Sequence, residues 1–171
     1  AGGVGSVAVM ALAKLGYDVF ASTGRPETES YRKSLGAKEI VARDELARDS
    51  KPLERETWAA VVDCVGDKTL ATAIAQTKHE GIVAPCGLAG GVGLAATVMP
   101  LILRGVTVRG VESIMTSMER RERAWESLAT LIDQDLLNSV YQTEPLAAVP
   151  ELANTILAGQ IQGRVVIDVN A

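Results

Sequence analysis

The first eight residues constrain this chain more than any others. Ala1-Gly2-Gly3-Val4-Gly5-Ser6-Val7-Ala8 fits G-x-G-x-x-A with Gly3 as the first glycine, a pattern that opens the first helix of dinucleotide-binding α/β folds. Gly3 permits a tight turn, Gly5 lets a pyrophosphate approach the backbone, and Ala8 lets the helix lie close on a sheet. The free N–H groups at the helix start, aided by its dipole, then face an anion. A glycine-rich loop without a ligand fits the same letters, so the residues that follow must decide.

An amphipathic helix is predicted from Ser6 to Leu15, stopping at Gly16, with a strand from Asp18 to Thr23. This is the order the fingerprint requires. An NAD site places an acid about 20 residues after the glycines, where it holds the ribose 2′-hydroxyl. Here the strand ends Ala21-Ser22-Thr23-Gly24-Arg25, and the nearby Asp18 lies at its other end. A carboxylate at the tip would repel a 2′-phosphate. The hydroxyls of Ser22 and Thr23 and the forked guanidinium of Arg25 would instead bind one. The expected cofactor is therefore NADP(H). The competing reading makes Arg25 a solvated surface charge.

Farther on, Pro26 starts a helix to about Leu35, closed by Gly36, and Glu39 to Val41 is a third strand. Residues 42–45 turn into a short helix, and 49–57, charged and carrying Pro52, read as loop. Trp58 to Asp63 is a continuous apolar run, as in parallel strands buried on both faces. A helix over Lys68–Gln76 and a strand over Gly81–Pro85 lead to the loop Cys86-Gly-Leu-Ala-Gly-Gly91. Ligands of open α/β sheets lie at such carboxyl ends, so this loop should flank the cofactor. Thr97 to Arg104 reads as a short helix and Val106 to Gly110 as a sixth strand. A charged helix over Met118–Ile132, a helix over Leu146–Leu157 and a strand over Gly163–Val169 complete the chain.

The fold class is α/β: a Rossmann-type doubly wound parallel sheet. Its first strand is central in the order 3-2-1-4-5-6 and precedes the glycine loop. This chain begins inside that loop, so the first strand is missing from it and is expected upstream, in a longer polypeptide.

The 171 residues bound one domain, or a domain and a piece, and a formal charge of −4 argues against a nucleic-acid binder. No apolar run is long enough to span a bilayer, and no signal peptide is expected in these first residues. Cys64 and Cys86 end apolar strands without a C-x-x-C pair, as buried reduced thiols of a cytoplasmic protein would. His79 sits in a polar turn with no second ligand spaced for a metal. Tyr17, Tyr31 and Tyr141 lack a lysine four residues on, which removes the short-chain dehydrogenase signature. There is no P-loop either.

A set of motifs now lies in order: Ala1-Gly-Gly-Val-Gly-Ser6, Ser22-Thr-Gly-Arg25, Tyr31-x-x-Ser-Leu-Gly-Ala37, Trp58-Ala-x-x-Val-Asp63-x-Val-Gly66, Cys86-Gly-Leu-Ala-Gly-Gly91, Pro100-x-Ile-Leu-Arg104 and Ile161-Gln-Gly-Arg164. Together they resemble the medium-chain dehydrogenase/reductase superfamily, and within it the zinc-free, quinone oxidoreductase-like branch of acrylyl-CoA reductases. The resemblance covers essentially the whole chain. It implies an NADP-binding Rossmann domain over residues 1–140, and a segment over 141–171 that returns to a GroES-like catalytic domain absent here. Ala1, Gly2, Gly3 and Val4 would lie at the pyrophosphate, and Thr23, Gly24, Arg25 and Arg43 at the 2′-phosphate. Leu88, Ile102 and Ser113 would lie along the rest of the cofactor. Relatives can place an asparagine near residue 159, where this chain has Ala158 and Gly159.

The implied chemistry is hydride transfer to the β-carbon of an α,β-unsaturated thioester or carbonyl, a small-molecule substrate, by a protein that is usually a homodimer. No residue in this chain is a good candidate for the proton donor. A non-catalytic NADPH-binding module and a zinc alcohol dehydrogenase with upstream metal ligands are the other readings.

Overall fold

The computed structural model describes residues 2–171. In chain order the elements are α1 (Gly3–Lys14), β1 (Phe20–Thr23), α2 (Glu29–Ser34), β2 (Glu39–Ala42), α3 (Arg43–Leu46), β3 (Trp58–Asp63), α4 (Asp67–Ala75), β4 (Thr77–Pro85), α5 (Met99–Arg104), β5 (Thr107–Val108), α6 (Met118–Leu131), α7 (Gln134–Asn138), β6 (Tyr141–Pro145), α8 (Val149–Leu157) and β7 (Arg164–Asp168). Single 3₁₀ turns at Pro26–Thr28 and Leu146–Ala148 lead into α2 and α8. The alternation of strand and helix is that of an α/β fold.

The strands form three sheets, β1-β2, β3-β4-β5 and β6-β7, the last two wholly parallel. The chain divides into two compact units, residues 1–40 with 122–171, and residues 41–121.

In the first unit, α1 turns Ser6, Val9 and Met10 inward at helical spacing. Val9 and Met10 pack with Val19, Ala21, Leu35, Ala37 and Val140. The predicted stops are where the backbone turns left-handed, at Gly16 (φ +86) and Gly36 (φ +103), the conformation glycine adopts without a steric penalty. A Cβ on Gly36 would also come within 2.5 Å of that of Ala13.

In the second unit, α4 buries Thr69 to Ala75 without a break, and Leu70 and Ile74 pack on Val83 and Val106. The apolar run Trp58–Asp63 forms the predicted strand but is not covered on both faces, since Val62 is 43% exposed. The run records strand propensity, whereas burial depends on neighbours, and β3 is the outer strand of its sheet among the described residues. His79 lies inside β4 rather than in a turn, still exposed, its amide donating to Glu56 at 2.9 Å. The irregular backbone that suggested a turn is nearby, at Glu80 (φ +56).

Two elements lack a sequence signal. Asp133 caps α7, accepting the amides of Asp135 and Leu136, but α7 is only five residues long. β6 is polar and mostly exposed, so it shows none of the alternation by which strands are read.

Candidate functional site

The glycine loop enters α1 as its motif requires. Gly2 is the extended N-cap, no side chain caps the helix, and the Ser6 amide donates to the Gly2 carbonyl at 2.8 Å. The first-turn amides of a helix have no intrahelical acceptor, so this end is built for an anion or water. Ser6 is fully buried, and its hydroxyl meets the Tyr31 hydroxyl at 3.0 Å, pinning the helix start to α2. Gly3 and Gly5 are half-buried and Val4 is exposed, while Ala1 lies outside the described residues.

Gly3 has a neighbour that its motif does not disclose. A Cβ there would lie 2.9 Å from Nη2 and 3.0 Å from Cζ of Arg164. The guanidinium at the start of β7 therefore lies against the backbone at the head of α1. Gly3, Val4, Arg164 and Ile161 line one cleft of about 440 Å³, walled by Leu152 and Ile156 of α8. In the sequence Arg164 is only one letter of the motif Ile161-Gln-Gly-Arg164. Its place beside Gly3, far away in the chain, had no local signal.

The turn after β1 is organised by Thr23. Thr23 is buried, and its hydroxyl accepts the Arg25 amide at 2.9 Å. Thr28 donates to the Arg25 carbonyl at 2.6 Å, which closes the turn from the other side. Ser22 is half-buried and Gly24 exposed. The Arg25 side chain reaches across to the Ile161 carbonyl at 2.9 Å. Ile161 also lines the cleft with Gly3 and Arg164, so one segment joins both arginines. Among the described residues no carboxylate pairs with Arg25 or Arg164. Two uncompensated cations thus share the unit that carries an uncapped helix N-terminus.

The other predicted contacts belong to residues 41–121. Arg43 is exposed at the first position of α3. Leu88 is 64% and Ile102 73% exposed, and exposed Ser113 accepts from Arg121 through its carbonyl. Asp63, at the carboxyl end of β3, is buried and accepts the Gly66 amide at 2.8 Å. Burial pushes its carboxyl above the ordinary range, opposed by the Gly66 and Val65 amides. That bond fixes the turn into α4, where Gly66 is left-handed (φ +76) with the Gly91 carbonyl 2.5 Å from where a Cβ would be.

The family model described as zinc-binding dehydrogenase matches residues 3–132. Acrylyl-CoA reductase AcuI of Ruegeria pomeroyi is 53% identical over 172 residues, covering 100% of this chain and 52% of that protein. The structure of Escherichia coli K-12 YhdH with bound NADPH is 48% identical with a TM-score of 0.95, covering 99% of this chain and 52% of that one. Bacillus subtilis YhfP, solved with NAD bound, is 40% identical with a TM-score of 0.91, covering 98% of this chain and 52% of that one. The chain spans about half the length of the curated relatives it matches.

The family description mentions zinc. Among the described residues, however, no three His, Cys, Asp or Glu side chains are grouped to hold a metal. The glycine loop, the helix that follows it and the parallel strands agree with the match, and the chain belongs to the zinc-binding dehydrogenase family.

Proposed function

We propose that this chain is the NADPH-binding half of a reductase that reduces the activated double bond of an α,β-unsaturated thioester such as acrylyl-CoA. The observation that carries this reading is the uncapped start of α1 with Arg164 against Gly3 and Arg25 linked to the same segment, neither arginine paired with a carboxylate. The names of relatives at 53% and 48% identity support the substrate class.

In this reading the α1 amides and Arg164 hold the pyrophosphate. Arg25 leaves the Ile161 carbonyl for the 2′-phosphate, with Ser22, Thr23, Gly24 and Arg43 around it. Thr23 acts by shaping the turn, since its hydroxyl already accepts the Arg25 amide. Leu88, Ile102 and Ser113 line the remainder of the cofactor. Bound NADPH supplies the hydride, and the chain's own task is to hold it in place.

Residues 141–171 pack against the remainder of the protein. Exposed Leu146, Ile156, Leu157, Val166 and Val169 supply the apolar surface for that contact. The complete protein would be a homodimer of the cytoplasm. No helix among the described residues is long and apolar enough to cross a membrane.

The test uses full-length protein with NADPH and acryloyl-CoA, following nicotinamide absorbance. Loss of absorbance that depends on the thioester supports the reading. Tight NADPH binding with no loss on any unsaturated thioester or quinone would make the protein a binding module instead.

A further inference from the structure

The ends of β3 and β4 set two thiols side by side. Asp63 and Pro85 are partners in the parallel ladder, so Cys64 and Cys86 are the next residues on adjacent strands. Both are free thiols, and their sulfurs are 3.5 Å apart. Against the expectation of two buried thiols, Cys86 is exposed and Cys64 half-buried, because both sit at the carboxyl ends of their strands where the sheet stops covering them. The loop that follows is fastened to the same place. The amides of Ala89 and Gly90 donate to the Cys64 and Val65 carbonyls at 3.4 and 2.7 Å. A Cβ on Gly87 would lie 2.7 Å from the Cys64 carbonyl oxygen, so the loop backbone runs directly against Cys64.

The two thiols are unequal. Burial pushes the Cys64 thiol up to about 12, which keeps it protonated at neutral pH. Cys86 is the sulfur that solvent and small reagents reach, and the thiolate is the reactive form of a cysteine. A disulfide needs sulfurs about 2.0 Å apart, so closure requires a shift of roughly 1.5 Å. Side-chain rotation at two strand ends can supply that.

We propose that Cys64 and Cys86 form a peroxide-oxidisable dithiol, which closes to an intrachain disulfide and ties the loop Cys86–Gly91 to the end of β3. The Cys86 sulfur attacks a hydroperoxide; an S–O bond forms, the O–O bond breaks, and water or an alcohol leaves. Cys64 then attacks the Cys86 sulfenic acid. The S–S bond forms, the S–O bond breaks, and the departing hydroxide takes the Cys64 proton as water. Two electrons pass from the sulfurs to the peroxide oxygens.

The test treats full-length protein with hydrogen peroxide, blocks remaining thiols with iodoacetamide, and maps peptides by mass. The expected product is a Cys64–Cys86 cross-linked peptide, two hydrogens lighter than its parts and restored by dithiothreitol. Cys64→Ser should leave Cys86 as a sulfenic acid that a cyclic 1,3-dione captures. Cys86→Ser should slow loss of the Cys64 thiol by roughly tenfold or more. Cys86 advancing to sulfinic acid in the wild type with no cross-linked peptide would overturn the proposal. So would survival of both thiols under peroxide that oxidises N-acetylcysteine in the same tube.

Discussion

Arg25 and Arg48 both stand in polar, turn-rich stretches, yet a carboxylate meets only one of them. Arg48 makes a two-pronged contact with Glu54, at 2.7 and 2.5 Å, and also donates to the Glu45 and Asp49 carbonyls. Glu54 accepts from the Lys51 amide and from Gln76 as well, while its own carbonyl accepts from Arg104 at 2.6 Å. This arginine and its acid fasten the loop before β3 to α4 and α5. Arg25 is held by a neutral carbonyl, and among the described residues no carboxylate pairs with it. An arginine that finds a carboxylate within its own fold holds the fold, and one that finds only a dipole remains available to an anion.

The contrast is sharpened first at Arg164, where the largest effect is expected. Arg164→Ala should weaken NADPH and NADH alike, by about 2–3 kcal/mol, because both carry the pyrophosphate. Calorimetry on the full-length protein measures it, and an unchanged Kd would remove Arg164 from the site. Arg25→Ala should weaken NADPH by about 1.5–3 kcal/mol and leave NADH nearly unchanged. Equal weakening of both coenzymes would detach Arg25 from the 2′-phosphate.

Glu54→Gln should behave in the opposite way, lowering stability by about 1–2 kcal/mol with coenzyme affinity intact, since Arg48 is half-exposed and partly screened. The Arg48 guanidinium holds the Glu54 carboxyl down at about 2. A carboxyl lowered on folding stabilises the fold above its unfolded-state value. That contribution fades as pH falls from the ordinary carboxylate range through about 2. Acid unfolding should therefore have a flatter limb in Glu54→Gln than in the wild type, and identical limbs would break the comparison. Thr23→Val carries the smallest effect. Losing the acceptor for the Arg25 amide should cost roughly 0.5–1.5 kcal/mol of stability in thermal unfolding, and a few-fold in NADPH affinity.

Much of this was legible in the sequence because it is local. The glycine entry to α1, the stops at Gly16 and Gly36, and the polar tip of β1 each rest on a few adjacent residues whose φ, size or charge suffices. What was not legible depends on distance along the chain. Gly3 and Arg164 are neighbours only once β7 is laid beside the loop. Residues 49–57 read as a charged loop because nothing in their order says that Glu54 takes Arg48, Lys51 and Gln76 together. Thr23 and Arg25 both read as direct contacts to an anion, whereas folding turns the Thr23 hydroxyl into a brace for the Arg25 amide.

The most direct measurement is a structure of the full-length protein with NADPH bound. The account predicts that the Arg25 guanidinium has left the Ile161 carbonyl and lies about 2.7–2.9 Å from a 2′-phosphate oxygen, with Arg164 at the pyrophosphate. A 2′-phosphate in contact with other residues, with Arg25 still on Ile161, would contradict it.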